Sequence, residues 1–152
     1  MITFNAYCQT KEETIEYINT KQKVYRHKNN EGDIFVYNVS IQDTDNIKQL
    51  VIVEVSAIAG TIIYQDAYYV DIKNIIAVEN SINEIGQKTV LIFAKNPGFK
   101  KLNYLDNVVS YETDVVIRLS NNTDNEQLKS LVKSYKYLIK TLGGKDLLVE
   151  KF

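Results

Sequence analysis

Cysteine is almost absent from this 152-residue sequence. Cys8 stands alone, which excludes an intramolecular disulfide and any cysteine-based zinc site. Arginine is nearly as scarce, occurring only as Arg26 and Arg118. Bidentate recognition of guanine or phosphate leans on arginine, so its scarcity argues against nucleic-acid reading. Excess charge of one sign is also missing. The 18 basic and 19 acidic residues leave a net charge of -1, so no global field draws the chain to a polyanion or an anionic membrane. Pro97 is the single proline, and no Pro/Ser-rich linker, repeat or low-complexity segment divides the chain. The expectation is one domain over 1–152, long enough to bury a sizeable core. Long apolar runs are lacking too: VIVEVSAIAGTIIY at 51–64 is interrupted by Glu54 and too short to span a bilayer. The start, MITFNAYC, has neither a basic n-region nor an apolar h-region. These absences predict a soluble cytoplasmic protein; the alternative is an exported one whose signal has been trimmed.

What is present is an ordinary folded composition, 45% hydrophobic and 24% charged. Thr10 and Glu13 have capping-box spacing and open a predicted helix within 10–26. Its stripe is narrow: Ile15, Ile18 and Tyr25, with Gln22 filling the intervening position. NNEGD at 29–33 reads as a loop. From 33 to 120 the chain reads as antiparallel strands. IFVYNVSI alternates, and LVIVEV, TIIYQ, AYYVDI, IIAVE, TVLIFA, KLNYL and DVVIRLS follow, rich in Ile, Val and Tyr. Turns are expected at DTDN, around Gly60, at NSINEIG and at KNPGFKK, where Pro97-Gly98 suits the two central positions of a type II turn.

A second helix is predicted over 124–143. Leu128, Leu131, Val132, Tyr135, Leu138, Ile139 and Leu142 recur at i, i+3, i+4 and i+7. Thr123 with Glu126, or Asp124 with Gln127, caps its start, and Gly143 and Gly144 stop it. A lone amphipathic helix needs an apolar surface for its stripe, and the preceding sheet is the large candidate. The expected fold class is therefore α+β: an antiparallel sheet or partly open barrel of about seven strands, capped by a C-terminal amphipathic helix, with an added N-terminal helix.

Two stretches carry a family likeness. YYVDIKNIIAVE at 68–79 resembles the strand, short turn and strand of GRAM-type and bacterial pleckstrin-homology-like (PH-like) domains. VVIRLSNNTDNEQLKSLVKSYKYLIKTLGG at 115–144 resembles their last strand and capping helix. TKEETIEYINTK at 10–21 and YKYLIKTLGGK at 135–145 also look like segments of small bacterial proteins of this architecture. The resemblance implies a PH-like barrel and, by analogy, a binding or adaptor module. No lipid-binding motif of the eukaryotic PH type is matched, so it does not imply phosphoinositide binding. Cystatin-like and lipid-transfer folds fit the same helix-on-sheet pattern.

Chemical motifs are sparse. His27, flanked by Arg26 and Lys28, reads as an exposed helix-end residue, and Cys8 as a small apolar one. Asp43 and Asp45 in DTDN lack the later Gly and Glu of a calcium loop. Asp66 and Asp71 flank AYYV without defining a carboxylate pair. Glu54 reads either as a solvent-facing strand residue or as a carboxylate projecting into a barrel; the former is favoured. Lys129, Lys133, Lys136 and Lys140 form a stripe beside the apolar one, read as solubilising or as an anionic-partner surface. Tyr64, Tyr68 and Tyr69 read as sheet residues or an aromatic patch. The candidate binding residues are Lys95, Phe99, Lys100 and Lys101, projecting from KNPGFKK. No catalytic residue, metal ligand or cofactor is expected. The expected function is a non-enzymatic module that binds another protein; the alternative is a small-ligand or lipid-binding barrel, or an enzyme with an interior pocket around Glu54.

Overall fold

A computed structural model describes residues 10–28, 34–58, 60–82, 84 and 86–148. Cys8 and the loop expected at 29–33 lie outside the described residues. The architecture is α+β. Among the described residues, helix α1 (Lys11–Val24) is followed by nine strands, β1 (His27–Lys28), β2 (Ile34–Thr44), β3 (Ile47–Ile58), β4 (Thr61–Asp71), β5 (Ile75–Ile82), β6 (Lys88–Ala94), β7 (Phe99–Asn103), β8 (Val109–Glu112) and β9 (Asp114–Leu119), and then by helix α2 (Asn125–Thr141). Nine strands replace the seven or so expected; the additions include the short β1 and β8.

All pairings are antiparallel. A six-stranded sheet has the order β1-β2-β3-β4-β7-β8 and a three-stranded sheet the order β5-β6-β9. No closed barrel forms among the described residues. The sheets meet at one corner, where Arg26 bridges Leu119 and the Ser120 N–H donates to the Tyr25 carbonyl at 2.8 Å. The β2–β3 hairpin turns at Asp45 and Asn46, both at positive φ, 44° and 70°. This is the type I′ geometry whose twist matches the flanking strands.

The core lies between the inner faces of the sheets and α2. All seven apolar positions expected on α2 are buried, with Tyr135, Leu138 and Ile139 fully so. Asp124 caps this helix by accepting from the Gln127 N–H at 2.7 Å. Helix α1 has the capping box expected from Thr10 and Glu13. Thr14, Ile18 and Gln22 are its buried residues, so a polar glutamine does sit in the apolar stripe.

The turn before β7 differs from expectation. The Gly98 N–H donates to the Lys95 carbonyl at 2.8 Å and the Asn96–Pro97 bond is cis. Pro97 therefore holds the third position of a type VI turn, not the second position of a type II turn. Gly98 has φ of +78°, and a Cβ there would lie 2.3 Å from the Glu112 carbonyl oxygen, so the turn packs against β8 as only glycine allows.

Candidate functional site

The four residues expected at a loop tip are separated by the fold. Phe99 is fully buried in the core, which corrects the expectation of an exposed aromatic. KNPGFKK turns only over its first four residues; from Phe99 onward it is strand β7, whose alternation drives side chains to opposite faces. Lys100 is exposed and aligned between Tyr69 of β4 and Tyr111 of β8. Lys101 points inward, its Nζ 3.6 Å from Asp66 Oδ2 and 5.7 Å from the Tyr68 ring centre. Lys95 remains exposed in the turn.

Inside the large sheet lies a charged row that sequence reasoning found only in part. Tyr37, Glu54, Asp66 and Asn103 are aligned across β2, β3, β4 and β7. Glu54 is 2% exposed and Asp66 fully buried, which corrects the solvent-facing reading of Glu54. Like charges directly opposed across strands repel, so each needs a cation. Arg118, reaching from β9, places Nη1 3.4 Å from Glu54 Oε2 and 3.4 Å from the Tyr37 hydroxyl. Lys101 faces Asp66 as described, and Asn103 Nδ2 donates to Asp66 Oδ1 at 2.9 Å. Burial first, and then the Glu54 carboxylate, push the Tyr37 and Tyr68 phenols up; burial and a hydrogen bond to Asp66 do the same for Tyr64. These phenols stay protonated donors at neutral pH. A recess of about 200 Å³ opens beside Glu54, Tyr64, Lys101 and Arg118. Glu54 was legible as an anomaly in VIVEV; its neighbour Asp66 depends on the β3–β4 register and its partner Arg118 on packing between the sheets.

The larger feature runs between β5 and α2. A groove of about 510 Å³ has Val78, Glu79 and Asn80 of β5 on one side and Lys129, Val132, Lys133 and Lys136 of α2 on the other. It continues as a space of about 350 Å³ beside Ile76, Lys145 and Leu147, and at the other end as one of about 370 Å³ beside Ile82 and Asn125. Each end space shares residues with the main groove, and together they border β5 from Ile76 to Ile82, about 20 Å at the rise of a strand. Among the described residues β5 is one of the two outer strands of its sheet, with β9 the other. An edge strand carries backbone N–H and C=O groups with no ladder partner on one side. The arrangement thus offers main-chain hydrogen bonds along one wall and ammonium groups along the other.

His27 is half-buried and its ring lies 5.8 Å from that of Phe35, a packing role in β1 that replaces the exposed helix end expected. Burial, and then the nearby Arg118, lower its pKa. Among the described residues no cluster of three His, Cys, Asp or Glu side chains is placed to hold a metal ion, and no helix is long and apolar enough to cross a membrane. No protein-family model, curated protein or solved structure matches the chain.

Proposed function

We propose that the protein is a non-enzymatic binding module that accepts an extended segment of another protein as an added strand on β5, beneath α2. The observation that carries this reading is the groove itself, which follows β5 from Ile76 to Ile82 along an edge that has no ladder partner among the described residues. Strand addition takes affinity from main-chain hydrogen bonds and specificity from side chains at alternate positions, and the groove supplies both walls such a segment needs. The interior favours the same reading over a small-ligand barrel. The recess beside Glu54 is smaller than the ~300 Å³ at which ligand pockets begin, and its carboxylate already has Arg118 as a partner.

We read the architecture as PH-like. Support comes from the β2–β3–β4 meander, the second sheet and the C-terminal helix packed against it. The β7–β8 hairpin, which returns to β4, and the N-terminal α1 are departures from a minimal domain of that kind. Fold alone does not assign the partner, so the groove carries the functional argument.

The experiment is selection of random peptides on the immobilised protein, followed by amide hydrogen exchange of the complex with a selected peptide. Protection concentrated in Ile75–Ile82 and the adjoining face of α2 is expected. Protection centred on β8 or on the Lys95–Gly98 turn would place the binding surface elsewhere and overturn the assignment.

A further inference from the structure

The charges along the groove are unequal. Lys129, Lys133 and Lys136 line its main part, and Lys145 lies at one end. Opposing them are Glu79 and Asp146, and Asp146 is already held by Lys140 at 3.2 Å. Lys129 has an exposed neighbour in Glu126 at 4.0 Å, a separation and exposure at which ion pairs contribute little. Lys133 and Lys136 form no ion pair among the described residues. The helix wall is therefore positive although the chain as a whole carries a net charge of only -1.

Spacing adds a second constraint. With a helical rise of about 1.5 Å per residue, Lys129 and Lys133 are offset by roughly 6 Å along the axis and Lys129 and Lys136 by roughly 10.5 Å. A strand added to β5 repeats its side chains on one face every 6.6–6.8 Å or so. Two successive same-face positions thus meet Lys129 and Lys133 almost in register. A third falls about 3 Å beyond Lys136, within reach of a flexible lysine stem. Resting on the strand-addition reading, we infer that the partner segment is acidic, with anionic side chains at alternate positions, acid-x-acid or longer. Carboxylate and phosphate share this chemistry, and the test separates them.

The test uses the full chain and capped, fluorescent octapeptides followed by anisotropy at low and physiological salt. Four peptides suffice: alternating glutamate and valine, alternating phosphoserine and valine, alternating glutamine and valine, and a block peptide with its four glutamates contiguous. An alternating anionic peptide is expected to bind about tenfold more tightly than the glutamine and block peptides, with affinity falling as salt rises. Preference for glutamate assigns an acidic partner, and preference for phosphoserine a phosphorylated one; either supports the inference. Lys133→Ser with Lys136→Ser should abolish the preference while leaving the thermal melt unchanged. Equal binding of the glutamine peptide, protecting β5 from exchange, overturns the acidic inference but leaves strand addition standing. Binding of none of the four, while selected peptides protect β5, has the same meaning. Absence of β5 protection with every peptide overturns both. Lysine-dependent sedimentation with phosphatidylcholine–phosphatidylserine vesicles, without peptide binding, would assign the wall to an anionic surface instead.

Discussion

Two stretches of strand edge without a ladder partner among the described residues each have a helix beside them, the part of β2 beyond its two-residue pairing with β1 and the outer side of β5, and the two are treated in opposite ways. Along β2, helix α1 lies close enough to finish the sheet with side chains. Asn19 donates Nδ2 to the Val39 carbonyl at 2.9 Å and accepts from the Val39 N–H at 2.7 Å, while Gln22 reaches the Tyr37 carbonyl at 3.5 Å. A primary amide presents the same donor and acceptor as a peptide group, so Asn19 acts as one residue of a missing strand. Along β5, helix α2 stands off. Its lysines and the strand leave a continuous groove, and among the described residues no α2 side chain hydrogen-bonds the β5 backbone as Asn19 does that of β2. A helix beside a strand edge is therefore not in itself a seal. What seals is a short polar side chain aimed at the free backbone groups, and what keeps an edge available is a row of long cations that block accidental pairing without filling the space. β8, at the far edge of the large sheet, has a third solution: four residues are too few to recruit another strand strongly, despite the exposed Val109 and Tyr111.

The largest effect should come from removing the element that both edges share. α2 sends Tyr135 to the sealed side, where its hydroxyl donates to Gln22 Oε1, and Lys133 to the open one. Leu138 is fully buried between them. Leu138→Asp puts an unpaired carboxylate there, at a cost of several kcal/mol, comparable with the stability of a whole domain. The variant should show no cooperative thermal transition; a melt near wild type would mean that α2 is not the lid of the core.

Opening the sealed edge should cost less. Asn19→Ala leaves the Val39 N–H and C=O without partners beneath a helix, a penalty of about 1–3 kcal/mol measurable by urea unfolding. The same variant should gain concentration-dependent self-association by light scattering, because β2 then resembles an uncovered edge. A stability loss without association would mean that α1 blocks β2 by bulk alone.

Alkaline titration separates the two edges further. Burial holds the Tyr135 phenol well above its ordinary pKa. Above pH 10 the unfolded chain loses this proton and the folded one keeps it, so the folded state binds more protons and stability falls as pH rises. Tyr37, Tyr64 and Tyr68 move in the same direction. Tyr135→Phe should therefore reduce the alkaline slope by about one proton, roughly 1.4 kcal/mol per pH unit. At pH 7 it should cost about 1 kcal/mol, because Gln22 Oε1 loses its donor. An unchanged slope would show that Tyr135 ionises in the folded protein as readily as in the unfolded one.

How much of this was legible depended on the range of the cause. The α2 stripe is local, so periodicity sufficed for it; spacing alone leaves Thr123 or Asp124 as the cap, and the structure has Asp124. Gln22 was visible as a polar residue in an apolar position, but Asn19 was not, because its partner Val39 lies 20 residues away. Phe99 was misread because the turn does not run through KNPGFKK: it closes at Gly98 and β7 begins at Phe99, whose side chain enters the core. Asp66 and Arg118 acquire meaning only once β3 pairs with β4 and β9 approaches from the second sheet. The lysine stripe could be read directly from the sequence. That it faces an open strand depends on β5 ending its sheet, which no local pattern encodes.

The smallest effect, and the one that best isolates the open edge, belongs to Lys133. Its side chain is exposed, forms no ion pair among the described residues and borders the groove without supporting the core. Residues of that kind change stability by less than about 0.5 kcal/mol, so Lys133→Asp should melt like wild type. It nevertheless reverses a charge in the middle of the lysine wall. If the groove binds an acidic strand, that reversal should weaken binding and flatten its salt dependence, since a like charge now opposes one of the ligand's anions. The contrast is what makes the variant informative: Asn19→Ala changes stability, whereas Lys133→Asp should change binding alone. A Lys133→Asp protein that is destabilised by as much as Asn19→Ala would make the lysine wall structural, and the two edges would then differ only in which side chains close them.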